Sequence, residues 1–349
     1  MTATSTASTV RASRREDLVT MALVSWTIIG IFVDAYFHAT DAGLESFWTP
    51  WHALFYSGFT ATAAWIVLLA VRRRVDGQSL IDATPSGYRG ALLGIGLFGL
   101  GGVGDAIWHT IFGVETSLDA LLSPTHLVLF VGATLIASAP LRAAWVDPND
   151  RSNLTWKEFL APALGLTWTA ALVAFMLAYA VLLTDGELPR SAFTPGSGNA
   201  EFIAAYGVLS AIVTTVILVA PLLLVLRRWS ALPAGAVTLF TVVIVLMVAL
   251  GFDRDLVGLG PALVAGVVGD LLVRKERPWL VAAVYPLVLW STYFVMAGRS
   301  GGGLGWPPEI WGGIIFFAVL TSLGIQGLLV LGASLPAASG AAADFERHR

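Results

Sequence analysis

Two stretches of the chain carry the same chemically active residues in the same order. The first reads Asp34-Ala-Tyr-Phe-His38, then Leu44-Glu45-Ser-Phe-Trp48-Thr49-Pro50-Trp51-His52. The second reads Asp105-Ala-Ile-Trp108-His109, then Leu118-Asp119-Ala-Leu-Leu-Ser123-Pro124-Thr-His126. Aspartate and histidine four residues apart share one helix face, so Asp34 meets His38 and Asp105 meets His109. Pro50 and Pro124 stand where a returning helix begins, because a proline at the first helical position has no N–H to lose. His52 and His126 then fall in the first turn of that helix. A tight turn between the two helices gathers one carboxylate and two imidazoles, a ligand set for copper, iron or zinc. Glu45 and Asp119, in the connectors, can add a ligand or accept from the N–H of a ligand imidazole. The same residue types also allow Asp–His hydrogen bonding without metal, or a bis-His haem. A haem has no use for the carboxylate one turn before each first histidine.

The elements that must position these groups are membrane helices. Of 349 residues, 56% are hydrophobic and 12% charged, and the mean hydropathy is +0.78. Soluble domains carry about 25% charged residues, so a soluble globular enzyme is excluded. A net charge of −3, with no basic patch, excludes nucleic acid as a partner. The chain has no cysteine, hence no disulfide, iron–sulfur cluster or thiolate ligand. Its two lysines, Lys157 and Lys275, lie beside polar loops, so no buried Schiff-base lysine is available.

A span needs about 20 apolar residues, and ten stretches qualify: 18–39, 50–71, 88–112, 124–145, 158–183, 200–226, 234–251, 256–273, 279–298 and 309–332. The expectation is an all-α polytopic membrane protein. A disordered tail (1–16) precedes duplicated metal-binding hairpins (17–146); a six-helix bundle (158–332) and a second tail (333–349) follow. With the N-terminus inside, 17 of the 20 Lys and Arg fall on the cytoplasmic side and three, Arg190, Arg254 and Arg299, outside. That bias places both termini in the cytoplasm of a bacterial or archaeal type of inner membrane and the histidines near the outer face. Both units start from the cytoplasm, so the duplication is a parallel repeat, with Asp34 and Asp105 offset by 71 residues.

Ionisable groups in a span cost roughly 2.5–3.5 kcal/mol each at the helix centre. Six of them in two matched sets therefore point to function, and His348, in the tail, does not belong with them. The glycines of the third span (Gly90, Gly94, Gly96, Gly99, Gly101, Gly102 and Gly104) read as helix-packing positions. Asp270 has Arg274 as its i,i+4 partner, and Asp253, Arg254 and Asp255 form an outer loop with an Asp–Arg pair. Trp48, Trp51, Trp108 and Trp306 suit an outer aromatic belt; the first three can also wall an apolar substrate pocket. Residues 299–308 form an outer loop placed to cover the site.

Asp105-Ala-Ile-Trp108-His109, followed by Ser123-Pro124-Thr-His126, resembles the C subunit of the copper membrane monooxygenases, the family of particulate methane and ammonia monooxygenases. That subunit carries an Asp-x-x-x-His pair and a Thr/Ser-Pro-x-His segment that bind metal, generally taken as copper. The resemblance spans residues 30–135. It marks Asp105, His109 and His126 and, through the repeat, Asp34, His38 and His52. It departs from the family in having Asp in both units, where the family's second triad has Asn; the family enzyme works as a complex with two other subunits, one of which bears a large periplasmic domain that has no counterpart in this sequence. It implies copper, O2-dependent oxidation of a small apolar substrate by reductive O2 activation, and other membrane subunits or a homo-oligomer as partners. A copper or divalent-metal acquisition, storage or transport protein and a haem protein are the other readings.

The connectors differ, with 13 residues between His38 and His52 and 16 between His109 and His126. Unequal connectors predict unequal sites. The Asp105 set is expected to bind more tightly, and two mononuclear sites are favoured over one dinuclear centre.

Overall fold

The computed structural model describes residues 10–40, 47–115, 118–147 and 154–334. Among these residues the secondary structure is helical, without strands. Glu45 and the segments 1–9 and 335–349 lie outside the described residues.

Local chemistry sets where each helix starts. Helix α1 (Arg14–Thr40) opens on a reciprocal cap: Ser13 Oγ accepts from Glu16 N–H at 3.3 Å, and Glu16 accepts from Ser13 N–H at 2.6 Å. The helix therefore begins inside the segment expected to be a disordered tail, and Val10 O accepts from Ser86 N–H at 2.8 Å. Helix α2 (Pro50–Val71) is capped by Thr49. A short turn, α3 (Leu80–Ala83), leads into α4 (Arg89–Phe112). Then come α5 (Leu118–Leu122), α6 (Pro124–Ala137), capped by Ser123, and α7 (Ala139–Trp145). The rest is α8 (Trp156–Met176), α9 (Gly198–Arg228), α10 (Ala236–Gly251), α11 (Leu259–Val273), α12 (Pro278–Ser300) and α13 (Pro308–Ser334).

Seven helices, α1, α2, α4, α8, α9, α12 and α13, are long and apolar enough to cross a bilayer. The pair α6–α7, bent by 44°, makes an eighth if taken as one span; α10 and α11 are shorter. Outward positions are apolar: Leu93, Leu100, Val103, Ile107 and Ile111 line the free face of α4, all more than half exposed. Only a lipid solvent tolerates such a stripe without a partner.

Two expected spans are broken. The stretch 124–145 bends at Ser138, where Pro140 has no N–H for the helix. Arg142 compensates by donating to Leu135 O at 2.7 Å and to Ser138 Oγ at 2.6 Å. The stretch 158–183 stops being α-helical at Met176 and continues in three 3-10 turns. Buried irregular backbone needs partners. Thr214 accepts from Leu182 N–H and donates to Ala180 O (both 3.2 Å), while Tyr206 and Tyr293 hydroxyls donate to Tyr179 O and Asp185 O.

Two hairpins, α1–α2 and α4–α6, hold the site. Close approach in each rests on glycine. A Cβ on Gly30 would sit 2.8 Å from Phe55 Cα, and one on Gly58 2.8 Å from Thr27 N. In the other hairpin Gly94 and Gly132 face each other, a Cβ on Gly94 coming within 2.7 Å of Gly132 O. Gly96 and Gly99 face open space, so only part of the glycine stripe packs. At the end away from the cluster, the Tyr88 hydroxyl donates to Asp17 at 2.6 Å and ties the second hairpin to α1. Helix α8 packs against α1 and α6, and α10 against α8 and α1, closing the back of the site.

Several polar residues do work other than that expected. Asp270 does not pair with Arg274 but caps α10, accepting from Val237 N–H (3.0 Å), Thr238 N–H (3.2 Å) and Thr238 Oγ1 (2.6 Å). Asp255 pairs with Arg190 at 3.8 Å rather than with Arg254. Trp306 leaves the expected belt: it is buried, sits on Gly207 and donates to Ser191 Oγ at 3.2 Å. The backbone of Gly305 is bound to Pro189 O, which holds this end of the 299–308 loop on the 188–191 turn.

Gly94→Ala should destabilise the protein by about 1–3 kcal/mol, the usual cost of overpacking. Gly96→Ala, facing open space, should leave stability within about 0.5 kcal/mol or raise it. Thermal unfolding of the detergent-solubilised variants checks this, and equal losses would contradict the packing described.

Candidate metal centre

The Thr/Ser-Pro-x-His segments are helix starts in which each residue has a defined position. Thr49 is the N-cap of α2, Pro50 the first helical residue, and His52 the third, whose N–H donates to Thr49 Oγ1 at 3.1 Å. Ser123, Pro124 and His126 repeat this on α6, with a cap distance of 3.4 Å. The cap hydroxyl thus fixes the backbone of the histidine and, on α2, also its ring: Thr49 Oγ1 lies 2.8 Å from His52 Nδ1. Asp34 and His38 stand on the last two turns of α1, Asp105 and His109 on those of α4.

The hairpins bring these groups together. Asp34 Oδ1 is 3.2 Å from His52 Nδ1, and Asp34 Oδ2 is 3.6 Å from His38 Nε2. On the second hairpin, Asp105 Oδ1 lies 3.1 Å from His126 Nε2 and 3.5 Å from His109 Nε2. Thr125 donates to the same oxygen at 3.0 Å. The two sets do not stand apart as separate mononuclear sites would. His52 and His109 have ring centroids 6.3 Å apart. Among the described residues two groups can hold an ion, Asp34–His38–His52 and His52–Asp105–His109, with the ligand atoms of each within 4.8 Å of one another. His52 belongs to both groups. His126 belongs to neither, and its Nδ1 is bound to Ala120 O.

The donor set fits a metal on grounds of hydrogen bonding alone. Asp34 Oδ1, Asp105 Oδ2 and His109 Nε2 are buried without a hydrogen-bond partner. The Asp105 and His109 side chains are each 1% exposed. Leaving a buried polar atom unsatisfied costs about 1–3 kcal/mol, and more for a charged group. A bound cation removes that cost for several atoms at once. The described chain has imidazole and carboxylate to offer here, a set suited to copper, iron or zinc.

One carboxylate that the repeat does not identify joins the centre. His109 Nδ1 lies 3.1 Å from Gly113 O, its hydrogen-bond partner, and 3.3 Å from Glu115 Oε2, which has none; the other Glu115 oxygen accepts from Trp108 Nε1. Glu115 lies in the second connector, three residues before Leu118 as Asp41 is three before Leu44, and just after Gly113, whose φ of 86° turns the chain back. Asp119, the carboxylate the repeat selects, is exposed on α5, accepts from Ala120 N–H at 3.1 Å and is in neither ligand group. Tyr56, one turn after His52, adds a buried hydroxyl with no hydrogen-bond partner.

The cluster opens on a cavity of about 320 Å³, lined by Asp34, His38, His52, Asp105 and His126 at one end. Its walls are apolar and come from α1, α2, α4, α6 and α8, with Phe252 and Arg254 completing them beyond α10. None of Trp48, Trp51 and Trp108 lines it. Trp48 is 85% exposed, Trp51 stacks on Phe37 at 3.5 Å, and Trp108 is engaged with Glu115. The walls are instead Phe55, Phe98, Phe130, Phe175 and neighbouring aliphatic residues. No residue of the 299–308 loop reaches the cavity.

No known protein family, curated protein or solved structure matches this chain.

Glu115→Ala should weaken copper binding by about 10–100-fold, the usual effect of removing a carboxylate that orients a ligand imidazole. Asp119→Ala should leave it unchanged. Copper titration of the detergent-solubilised variants checks the ranking; the reverse order would contradict the geometry.

Proposed function

We propose that this chain is a copper-binding membrane protein resembling the C subunit of the copper membrane monooxygenases, acting in O2-dependent oxidation of a small apolar substrate. The observation that carries the reading is the convergence of six ligand-type side chains, drawn from two stretches of matching sequence, five of which line an apolar cavity. Asp34, His38, His52, Asp105 and His109 would hold metal, with His126 on the Asp105 carboxylate and Glu115 on the His109 imidazole. Copper bound there supplies the one-electron redox chemistry that O2 activation requires. The chain's own contribution is to fix the imidazoles by helix caps and neighbouring carboxylates and to offer an apolar chamber beside them. Such a chamber favours a substrate with little polar surface.

In this reading the protein has ten spans. The bent pair α6–α7 counts as one, and α10 and α11, of 16 and 15 residues, cross where the bilayer thins locally. The two hairpins are a parallel repeat. Both termini face the cytoplasm of an inner membrane, and the cluster lies near the outer face, as the distribution of arginines requires.

Metal transport fits less well. No carboxylate or histidine lies between Asp17 and Asp34 on α1, after His52 on α2, before Asp105 on α4 or after His126 on α6. A cation leaving the cluster inward would meet only apolar and hydroxyl groups. At the outer end, Arg254 lines the cavity and repels cations.

Purified protein loaded with copper should retain one to two ions per chain, and the double variant His38→Ala/His109→Ala should retain none. Plasma mass spectrometry reads the stoichiometry. Unchanged copper content in the double variant would contradict the assignment.

A further inference from the structure

We propose that the His52 imidazole bridges two metal ions, one gathered by each hairpin, so that the centre is a single dinuclear unit. This rests on the metal-binding reading above and goes beyond it. His52 is the residue common to the two ligand groups, Asp34–His38–His52 and His52–Asp105–His109. One nitrogen cannot serve two ions, but an imidazole has two, on diverging edges of the ring. Two ligand groups that share one histidine can therefore both be filled when each takes a different nitrogen of that ring.

The surroundings of His52 suit a bridge. Its side chain is 6% exposed. The ring is walled by Phe47, Phe55 and Tyr56, with centroids 4.7, 5.4 and 6.3 Å away. Thr49 fixes both its backbone N–H and, from 2.8 Å, the Nδ1 edge. On one side stand Asp34, 3.2 Å from Nδ1, and His38, whose centroid is 5.7 Å away. His109 presents its ring at 81° to that of His52, beside Asp105. His126, the counterpart of His52 on the second hairpin, is not placed to do the same. It belongs to neither ligand group and is 24% exposed. On the second hairpin Glu115 lies 3.3 Å from His109 Nδ1.

Charge supports two ions rather than one. Asp34, Asp105 and Glu115 crowd three carboxylates into this buried space. Buried charges have to be paired or coordinate metal. Binding the second ion to His52 displaces the ring N–H proton to solvent, and no electron transfer is involved in forming the bridge.

Copper(II) loading of the detergent-solubilised full chain, read by metal analysis and electron paramagnetic resonance on one sample, tests the proposal. The expected result is two ions per chain with a spin intensity well below two, because the bridge couples the ions magnetically. His38→Ala should weaken the coupling without emptying the centre, and His126→Ala, outside both ligand groups, should leave the coupling and the two-ion content in place. His52→Ala should lose coupling and drop copper content to one ion or fewer. Two ions with two full spins in the unaltered chain would overturn the bridge, as would a single ion per chain or an unchanged two-ion content in His52→Ala. The first measurement needs no variant, so misfolding of His52→Ala does not obscure the outcome. Failure of the unaltered chain to bind any copper would overturn the metal-binding reading itself.

Discussion

Burying carboxylates and imidazoles together in an apolar bundle is the constraint on which the rest of this structure turns. Asp105 and His109 are almost wholly removed from solvent, and each keeps an atom without a hydrogen-bond partner. In a membrane protein such groups are costly and are retained where they face the bundle interior and serve a site. Everything around them reduces that cost or holds them in place. Thr125 donates to Asp105, the Thr49 and Ser123 hydroxyls hold the histidine backbones, and Glu115 engages His109 and Trp108. In the proposed reading a cation would satisfy the remaining oxygens and nitrogens together.

The hairpins can meet this demand because their helices approach closely. Gly30 and Gly58 in one, and Gly94 and Gly132 in the other, remove the side chains that would hold the helices apart. The polar ends of the bundle lock the arrangement. Arg73 pairs with Glu16 at 2.6 Å, and Tyr88 joins Asp17, so one end of α1, α2 and α4 is tied while the other carries the Asp–His cluster. The irregular stretch after α8 completes the chamber: Ala178 and Tyr179 line it, with the backbone there satisfied by Thr214 and Tyr206. A cluster of polar ligands thus faces a cavity whose other walls are apolar.

Much of this was legible in residue order, for physical reasons that also mark where legibility stops. Hydropathy located the helices, and the Pro50 and Pro124 positions located helix starts and so the first-turn histidines. The i,i+4 spacing placed Asp34 with His38 and Asp105 with His109. Docking of one hairpin on the other is tertiary, and nothing in either repeat unit indicates that His52 stands beside His109. Glu115 was not legible because it stands outside the two matched motifs, in connectors of unequal length, while Asp119 holds the position matching Glu45 and is exposed. The tryptophans failed as pocket residues for a related reason. Trp51 neighbours His52 in sequence, but adjacent residues on a helix point about 100° apart, which sends it onto Phe37. The cavity walls from α8, and Phe252 beyond α10, come from segments whose uniform apolar sequence carries no sign of a site.

The central claim is that the two hairpins build one metal centre around His52. Anomalous X-ray scattering at the copper edge, from crystals of the copper-loaded protein, tests it most directly. The account predicts anomalous density between the hairpins, within coordination distance of His52 and of a ligand from each side, Asp34 or His38 and Asp105 or His109. Density confined to surface carboxylates such as Asp119, with none between the hairpins, would contradict it.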